Sequence, residues 1–106
     1  MKRIILIALA MTFTAPTIAA DKAAGGAKAK EVCAACHGVD GNSADANNPK
    51  LAGQWPDYLR KALRDYKSGA RTNAIMGGFA KGLTDKDIEN LAAYYSSQPA
   101  VLSSKY

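Results

Sequence analysis

Cys33-Ala34-Ala35-Cys36-His37 contains both cysteines and the single histidine of the chain. On a helical turn, cysteines at i and i+3 point to one side, at the spacing of thioether bonds to the two vinyl groups of a haem. The next residue, His37, is then brought beneath the iron as its proximal ligand. The Cys-x-x-Cys-His string is itself a haem-attachment signature. Three other chemistries use some of these residues. A thioredoxin-like dithiol has Cys-x-x-Cys, but in a βαβ setting that this sequence lacks. A structural zinc site takes four ligands, whereas Cys33, Cys36 and His37 supply three. A simple disulfide closes a very small loop and leaves His37 without a role. The motif therefore points to one haem c, covalent through Cys33 and Cys36.

An iron held by His37 has a sixth position, which can take Met, a second His or Lys, or stay vacant. There is no second histidine. Met1 and Met11 lie in an N-terminal stretch that reads as a leader, which leaves Met76. It follows His37 by 39 residues, enough chain to pass around to the opposite haem face. A thioether is a soft ligand, and His/Met ligation raises the reduction potential and suits electron transfer. Methionine also fills core gaps well, but Met76 stands between Ile75 and Gly77-Gly78, outside any periodic apolar stripe. His37 and Met76 are accordingly the expected iron ligands, and no catalytic residue is expected.

The leader has the order charged, apolar, small. Lys2-Arg3 is followed by an apolar run from Ile4 to Met11, and Thr17-Ile18-Ala19-Ala20 precedes Asp21-Lys22. That is the pattern of a secretory signal peptide. Ile4 to Ala20 is uncharged, but it holds Pro16 and three threonines and falls short of the roughly 20 strongly apolar residues of a membrane span. We expect residues 1–20 to be removed after Ala19 or Ala20, leaving a domain over 21–106 in the periplasm with no stable membrane insertion. The formal net charge of +5 then loses the two positive charges of Lys2 and Arg3. No Lys/Arg run exceeds two residues, so nucleic acid is not an expected partner. A mature chain of roughly 86 residues is near the lower end of what folds on its own core. Small secreted domains usually add a staple, and a covalent haem would be one.

The elements that must position these groups read as helices, with no alternating strand pattern and no internal repeat. Lys22 to Ala35 is Ala- and Lys-rich, weakened at its start by Gly25-Gly26, and stops near Gly38. Gly38 to Gln54 is polar and turn-rich, with Asp40-Gly41-Asn42-Ser43 and Asn47-Asn48-Pro49. Pro56 to Ser68 is amphipathic: Tyr58, Leu59, Ala62, Leu63 and Tyr66 share a face, opposite Arg60, Lys61, Arg64 and Lys67. Pro56 suits its first position, and Gly69 ends it. Ala70 to Gly82 reads as irregular because of Gly77-Gly78 and Gly82. Thr84 caps a last helix with Asp85 and Asp87 in its first turn and a buried stripe of Ile88, Leu91, Ala92 and Tyr95; Pro99 closes it. The fold class is all-α, helices and long loops wrapped around one covalent haem.

These residues together resemble the class I cytochromes c, in particular the short monohaem cytochrome c4/c5/c-553-like group. The resemblance is carried by Cys33 to Gly38 with Asp40-Gly41-Asn42, by Pro49-Lys50-Leu51-Ala52-Gly53-Gln54, and by Tyr58-Leu59. Gly69-Ala70-Arg71, Asn73, Met76, Leu83-Thr84-Asp85 and Leu91-Ala92-Ala93-Tyr94-Tyr95 continue it. It implies a fold in which N- and C-terminal helices cross against one haem edge. It implies thioethers at Cys33 and Cys36, His37 proximal and Met76 distal. It also implies that the Pro49 carbonyl accepts the His37 Nδ1–H, and that Gln54, Trp55 and Arg71 neighbour the propionates. One residue departs from the pattern: Lys30 stands three positions before the first cysteine, where the family often has a large apolar residue. That departure leaves the packing of the first helix open.

The function these readings imply is that of a periplasmic one-electron Fe(II)/Fe(III) carrier and not an enzyme. Its partners would be redox proteins, periplasmic or membrane-bound oxidoreductases. A haem subunit of one oxidoreductase complex would have the same site chemistry. An open-site haem enzyme or gas binder would require Met76 to be off the iron.

Overall fold

The structure, a computed structural model, describes residues 1–13 and 19–101. They form five helices and no strand: α1 (Lys22–Val32), α2 (Ala34–His37), α3 (Pro56–Ser68), α4 (Ala74–Lys81) and α5 (Asp85–Ser96). The leader expectation falls partly on residues 14–18, and the expected domain end on residues 102–106, both outside the described residues. Residues 1–13 take no regular structure, and their apolar side chains pack on nothing; Leu6 is 91% exposed. Among the described residues no helix is long and apolar enough to cross a membrane.

Helix α5 is the strut on which the others rest. The Thr84 hydroxyl accepts from the Asp87 backbone N–H at 3.0 Å, and the Asp87 carboxylate accepts from the Thr84 N–H at 3.0 Å. This capping box satisfies two donors that a helix start otherwise leaves unpaired. The stripe Ile88, Leu91, Ala92 and Tyr95 is buried as its spacing predicts, together with Ala29, Leu59 and Leu83. Helix α1 crosses α5 so closely that a side chain at Gly25 would stand 2.1 Å from the Asn90 carbonyl oxygen. A methyl at Gly26 would meet the Tyr94 ring at 3.0 Å. Ala29 is fully buried at the same seam, and the Asp21 N–H donates to Asn90 Oδ1 at 2.8 Å. The crossing left open by Lys30 is thus built from small residues on α1 and Tyr94 on α5, with Lys30 facing solvent. Gly25 and Gly26, which weaken the helix locally, are what allow the approach.

The first helical segment was expected to run to Ala35. It breaks at Cys33 (φ −114°, ψ −31°), and a separate turn, α2, carries the motif to Gly38. Helix α3 has the bounds its sequence predicts, with Pro56 at its first position and Gly69 in the left-handed region at φ +85°. It packs against α5 and α4. The irregular segment expected over 70–82 is corrected by the structure: residues Ala74–Lys81 are helical. Two interior glycines cost such a helix about 1 kcal/mol each relative to alanine. The Asn73 cap and the burial of Ala80, 1% exposed, offset them. The polar connection 38–54 is irregular as read, and it is stitched to α5. The Tyr94 hydroxyl donates to the Val39 carbonyl at 2.6 Å, the Gly53 N–H to the Tyr95 carbonyl at 3.0 Å, and the Asn42 side chain to the Pro99 carbonyl at 2.9 Å.

Two outcomes are expected. Gly25→Ala forces α1 away from α5 and should lower stability by about 1–3 kcal/mol, the cost of overpacking a close contact, read from denaturant midpoints of the haem-loaded protein. The Thr84 N–H holds the Asp87 carboxyl below the usual carboxylate range. Its stabilising effect is therefore complete above the ordinary carboxylate pKa and fades as the pH falls through the lowered folded value. Asp87→Asn should flatten that part of the acid limb in a plot of thermal midpoint against pH.

Candidate functional site

Between the α1–α5 crossing and helices α3 and α4 lies a cleft of about 330 Å³. Cys33, Cys36, His37 and Met76, chosen from sequence, all line it. Cys36 and His37 arrive on α2 and Cys33 caps its start, and the position of this turn is set from both ends: α1 leads into Cys33, and the Gly38–Val39 turn beyond His37 is held by the Tyr95 and Tyr94 hydroxyls. The Ser43 hydroxyl donates to the Cys36 carbonyl at 3.2 Å. The His37 ring is buried, and its Nδ1 lies 2.8 Å from the Pro49 carbonyl oxygen. That oxygen can only accept, so Nδ1 carries the proton and Nε2 keeps its lone pair for a metal. The carbonyl named by the resemblance is therefore the one His37 uses.

Met76 comes from the first turn of α4, not from a glycine-rich loop. Its side of the cleft also carries Ile75 and Phe79, which are 66% and 48% exposed. The α3 face read as a buried stripe, Tyr58, Leu59, Ala62, Leu63 and Tyr66, forms another wall. Leu51, Leu83, Leu91 and Tyr95 contribute from the loop and α5. Gln54 and Arg71 line the cleft, whereas Trp55 lies outside its lining, 79% exposed at the cap of α3. The Arg71 guanidinium lies 4.7 Å from the Tyr66 ring centroid and donates to the Tyr58 hydroxyl at 3.3 Å. This aromatic–guanidinium cluster ties the segment after α3 back onto that helix, and only the apolar periodicity of α3 was visible in the sequence.

The alternatives to haem fit these surroundings poorly. No disulfide joins Cys33 and Cys36, and burial pushes the Cys33 thiol up. A redox dithiol needs the opposite, a lowered pKa. Among the described residues no three His, Cys, Asp or Glu side chains converge to hold a metal ion directly, against a zinc centre. A haem matches what is present. Among the described residues the only large side chains fully buried are Ile88 and Leu91, too few for a domain of this size to close its own core. The cleft supplies an apolar slot where a flat macrocycle would complete that core.

The comparisons with known proteins agree with that geometry. The family model for cytochrome c matches residues 23–98. The chain belongs to the cytochrome c family. The cofactor of this family is haem c, bound covalently, and Cys33 and Cys36 have the spacing for that attachment. Cytochrome c4 of Pseudomonas aeruginosa is 50% identical over 94 residues, covering 89% of this chain and 46% of that protein. A cytochrome subunit of sulfide dehydrogenase from Chlorobaculum tepidum is 45% identical over 65 residues, 61% of this chain and 58% of that one. The crystal structure of reduced recombinant cytochrome c4 from Pseudomonas stutzeri superposes with a TM-score of 0.74 at 46% identity, covering 79% of this chain and 48% of that one. The chain thus spans about half the length of these relatives, and its all-helical architecture is that of a class I cytochrome c.

Since so little of the interior is filled by side chains, the chain expressed without haem attachment should show weak helical circular dichroism and no cooperative thermal transition. The haem-loaded protein should show both.

Proposed function

We propose that this chain is a one-electron carrier whose haem is held by thioethers from Cys33 and Cys36 and ligated by His37 and Met76. The observation that carries the reading is that these four side chains, distant in part in sequence, line one apolar-walled cleft. The bound group supplies an iron that alternates between Fe(II) and Fe(III). The chain's own residues do the rest. Cys33 and Cys36 fix the group to α2, so that it is not lost in either oxidation state. The Pro49 carbonyl holds the His37 Nδ1 proton, which orients the ring and raises its basicity as a ligand. Met76 offers a soft sulfur, which favours the reduced state and raises the potential. The leucines and tyrosines of the cleft keep water away. With His37 and Met76 both as donors no position would be left open for a substrate, which suits a carrier and not an enzyme.

Residues 1–20 fit a signal peptide that is cut after Ala19 or Ala20, which would deliver the 21–106 domain to the periplasm. Its apolar part packs on nothing in the fold, as a removable segment should. The partners are oxidoreductases that hand electrons to, or take them from, the haem. The relative that serves as the cytochrome subunit of a sulfide dehydrogenase supports a second reading, in which the chain is the haem module of one such complex. Co-purification with a catalytic subunit separates the two.

Met76→Ala tests the ligand set. The variant should keep its covalent haem, lose the low-spin ferric spectrum with its weak far-red sulfur-to-iron band, bind CO promptly, and shift to lower potential in a redox titration. An unchanged spectrum would mean that another group is the sixth ligand.

A further inference from the structure

The methionine's helix is a weak one. Helix α4 has only eight residues, Ala74–Lys81, and Gly77 and Gly78 follow Met76 directly. Neither glycine has a positive φ. A side chain at Gly78 would meet nothing within 4 Å, and one at Gly77 only the Tyr66 carbonyl oxygen at 3.8 Å. No steric demand within the chain calls for glycine there, and each glycine lowers helix propensity relative to alanine. Something else must hold the first turn in register.

Upstream, the connection from α3 is pinned as far as Arg71. Its N–H donates to the Asp65 carbonyl at 3.0 Å, and its guanidinium stacks on Tyr66. Two residues later the Asn73 side-chain oxygen accepts from the N–H groups of Ile75 and of Met76 itself, at 3.1 and 2.9 Å. The Asn73 backbone carbonyl accepts from the Gly77 N–H at 2.8 Å. Asn73 also lines the cleft.

We propose that Asn73 is the positioning residue for Met76: its side-chain oxygen grips the backbone of the methionine's turn and so keeps the thioether on the iron. This rests on the ligation by Met76 proposed above. With Gly77-Gly78 behind it, the turn has little stiffness of its own, so loss of the grip reads out as ligand loss rather than as general unfolding.

The test uses ferric haem-loaded protein and imidazole as the competing ligand. The parent should show the far-red sulfur-to-iron band; its absence would overturn the Met76 reading itself, independently of Asn73. Asn73→Ala should weaken the band and tighten imidazole binding about fivefold, the factor a helix cap of ordinary strength is worth. Asn73→Asp keeps the acceptor oxygen and should match the parent in both readouts. Adding Gly78→Ala to Asn73→Ala should recover part of the lost band by stiffening the helix from the other side. Should Asn73→Ala fail to accumulate, Asn73→Ser retains a shorter acceptor and should fall between parent and alanine. The proposal is overturned if imidazole affinity stays at the parent value while the denaturation midpoint drops, since Asn73 would then be merely structural. It is equally overturned if Asn73→Asp or Asn73→Ser binds imidazole as tightly as alanine is expected to.

Discussion

The approach of α1 to α5 at Gly25 brings two helix backbones to a separation that no side chain would permit, and the rest of the domain is hung from that contact. Helix α1 runs directly into the turn bearing Cys33, Cys36 and His37, so its angle across α5 decides where both thiols and the imidazole point. From the other side of the crossing, α5 sends Leu91 and Tyr95 into the cleft and uses the Tyr94 and Tyr95 hydroxyls to hold the turn just past His37. A glycine that looks like a flaw in a helix is therefore the residue that sets the geometry of the attachment site.

The crossing alone does not make a folded domain. Apart from the seam itself, the apolar faces of α3 and α4 look toward the cleft, with Tyr58 and Phe79 about half exposed and Ile75 more so. Burying apolar surface is worth roughly 25 cal/mol per Å², and in this fold much of that surface meets the cofactor rather than other side chains. Folding of the domain is thereby expected to depend on the haem, much as small metal-completed domains depend on their ion. The same surface that would stabilise the holoprotein lines the cleft, so core and candidate site are largely the same group of residues.

Legibility in the sequence followed the range of the interactions involved. Cys33, Cys36 and His37 were readable because their chemistry is local, and α3 and α5 because apolar period and caps agreed. Met76 was singled out by elimination, as the only methionine outside the expected leader, and the structure places it in the cleft wall. Helix α4 was not: two glycines outweighed everything else in the local pattern, and the Asn73 cap and the burial of Ala80 are tertiary compensations. The break at Cys33 and the outward turn of Trp55 were hidden for a related reason, that a residue at a helix end can face either way. The Pro49 carbonyl came only through family resemblance, because no spacing rule says which of several loop carbonyls will face a ring twelve residues away. The glycines at the α1–α5 seam were visible, but their use depends on Asn90 and Tyr94, some 65 residues further on.

The two faces of the cleft differ in how firmly they hold their donors. His37 is buried, its Nδ1 is bonded to Pro49, and its turn is tied to α5 and to Ser43. Met76 rides on a short helix with two flexible residues behind it and a single side-chain cap in front. For a carrier this asymmetry has a clear logic. Electron exchange is fast when neither ligand must move, which asks that both donors be in place before the oxidation state changes. The imidazole side meets this requirement through burial and a fixed proton. On the thioether side a fully rigid helix would demand perfect register from the fold, whereas a soft turn under one directional restraint would leave the Met76 sulfur free to adjust to a bound haem. If both donors ligate as proposed, the rigid face would define where the iron sits, and the adaptable face would close on it.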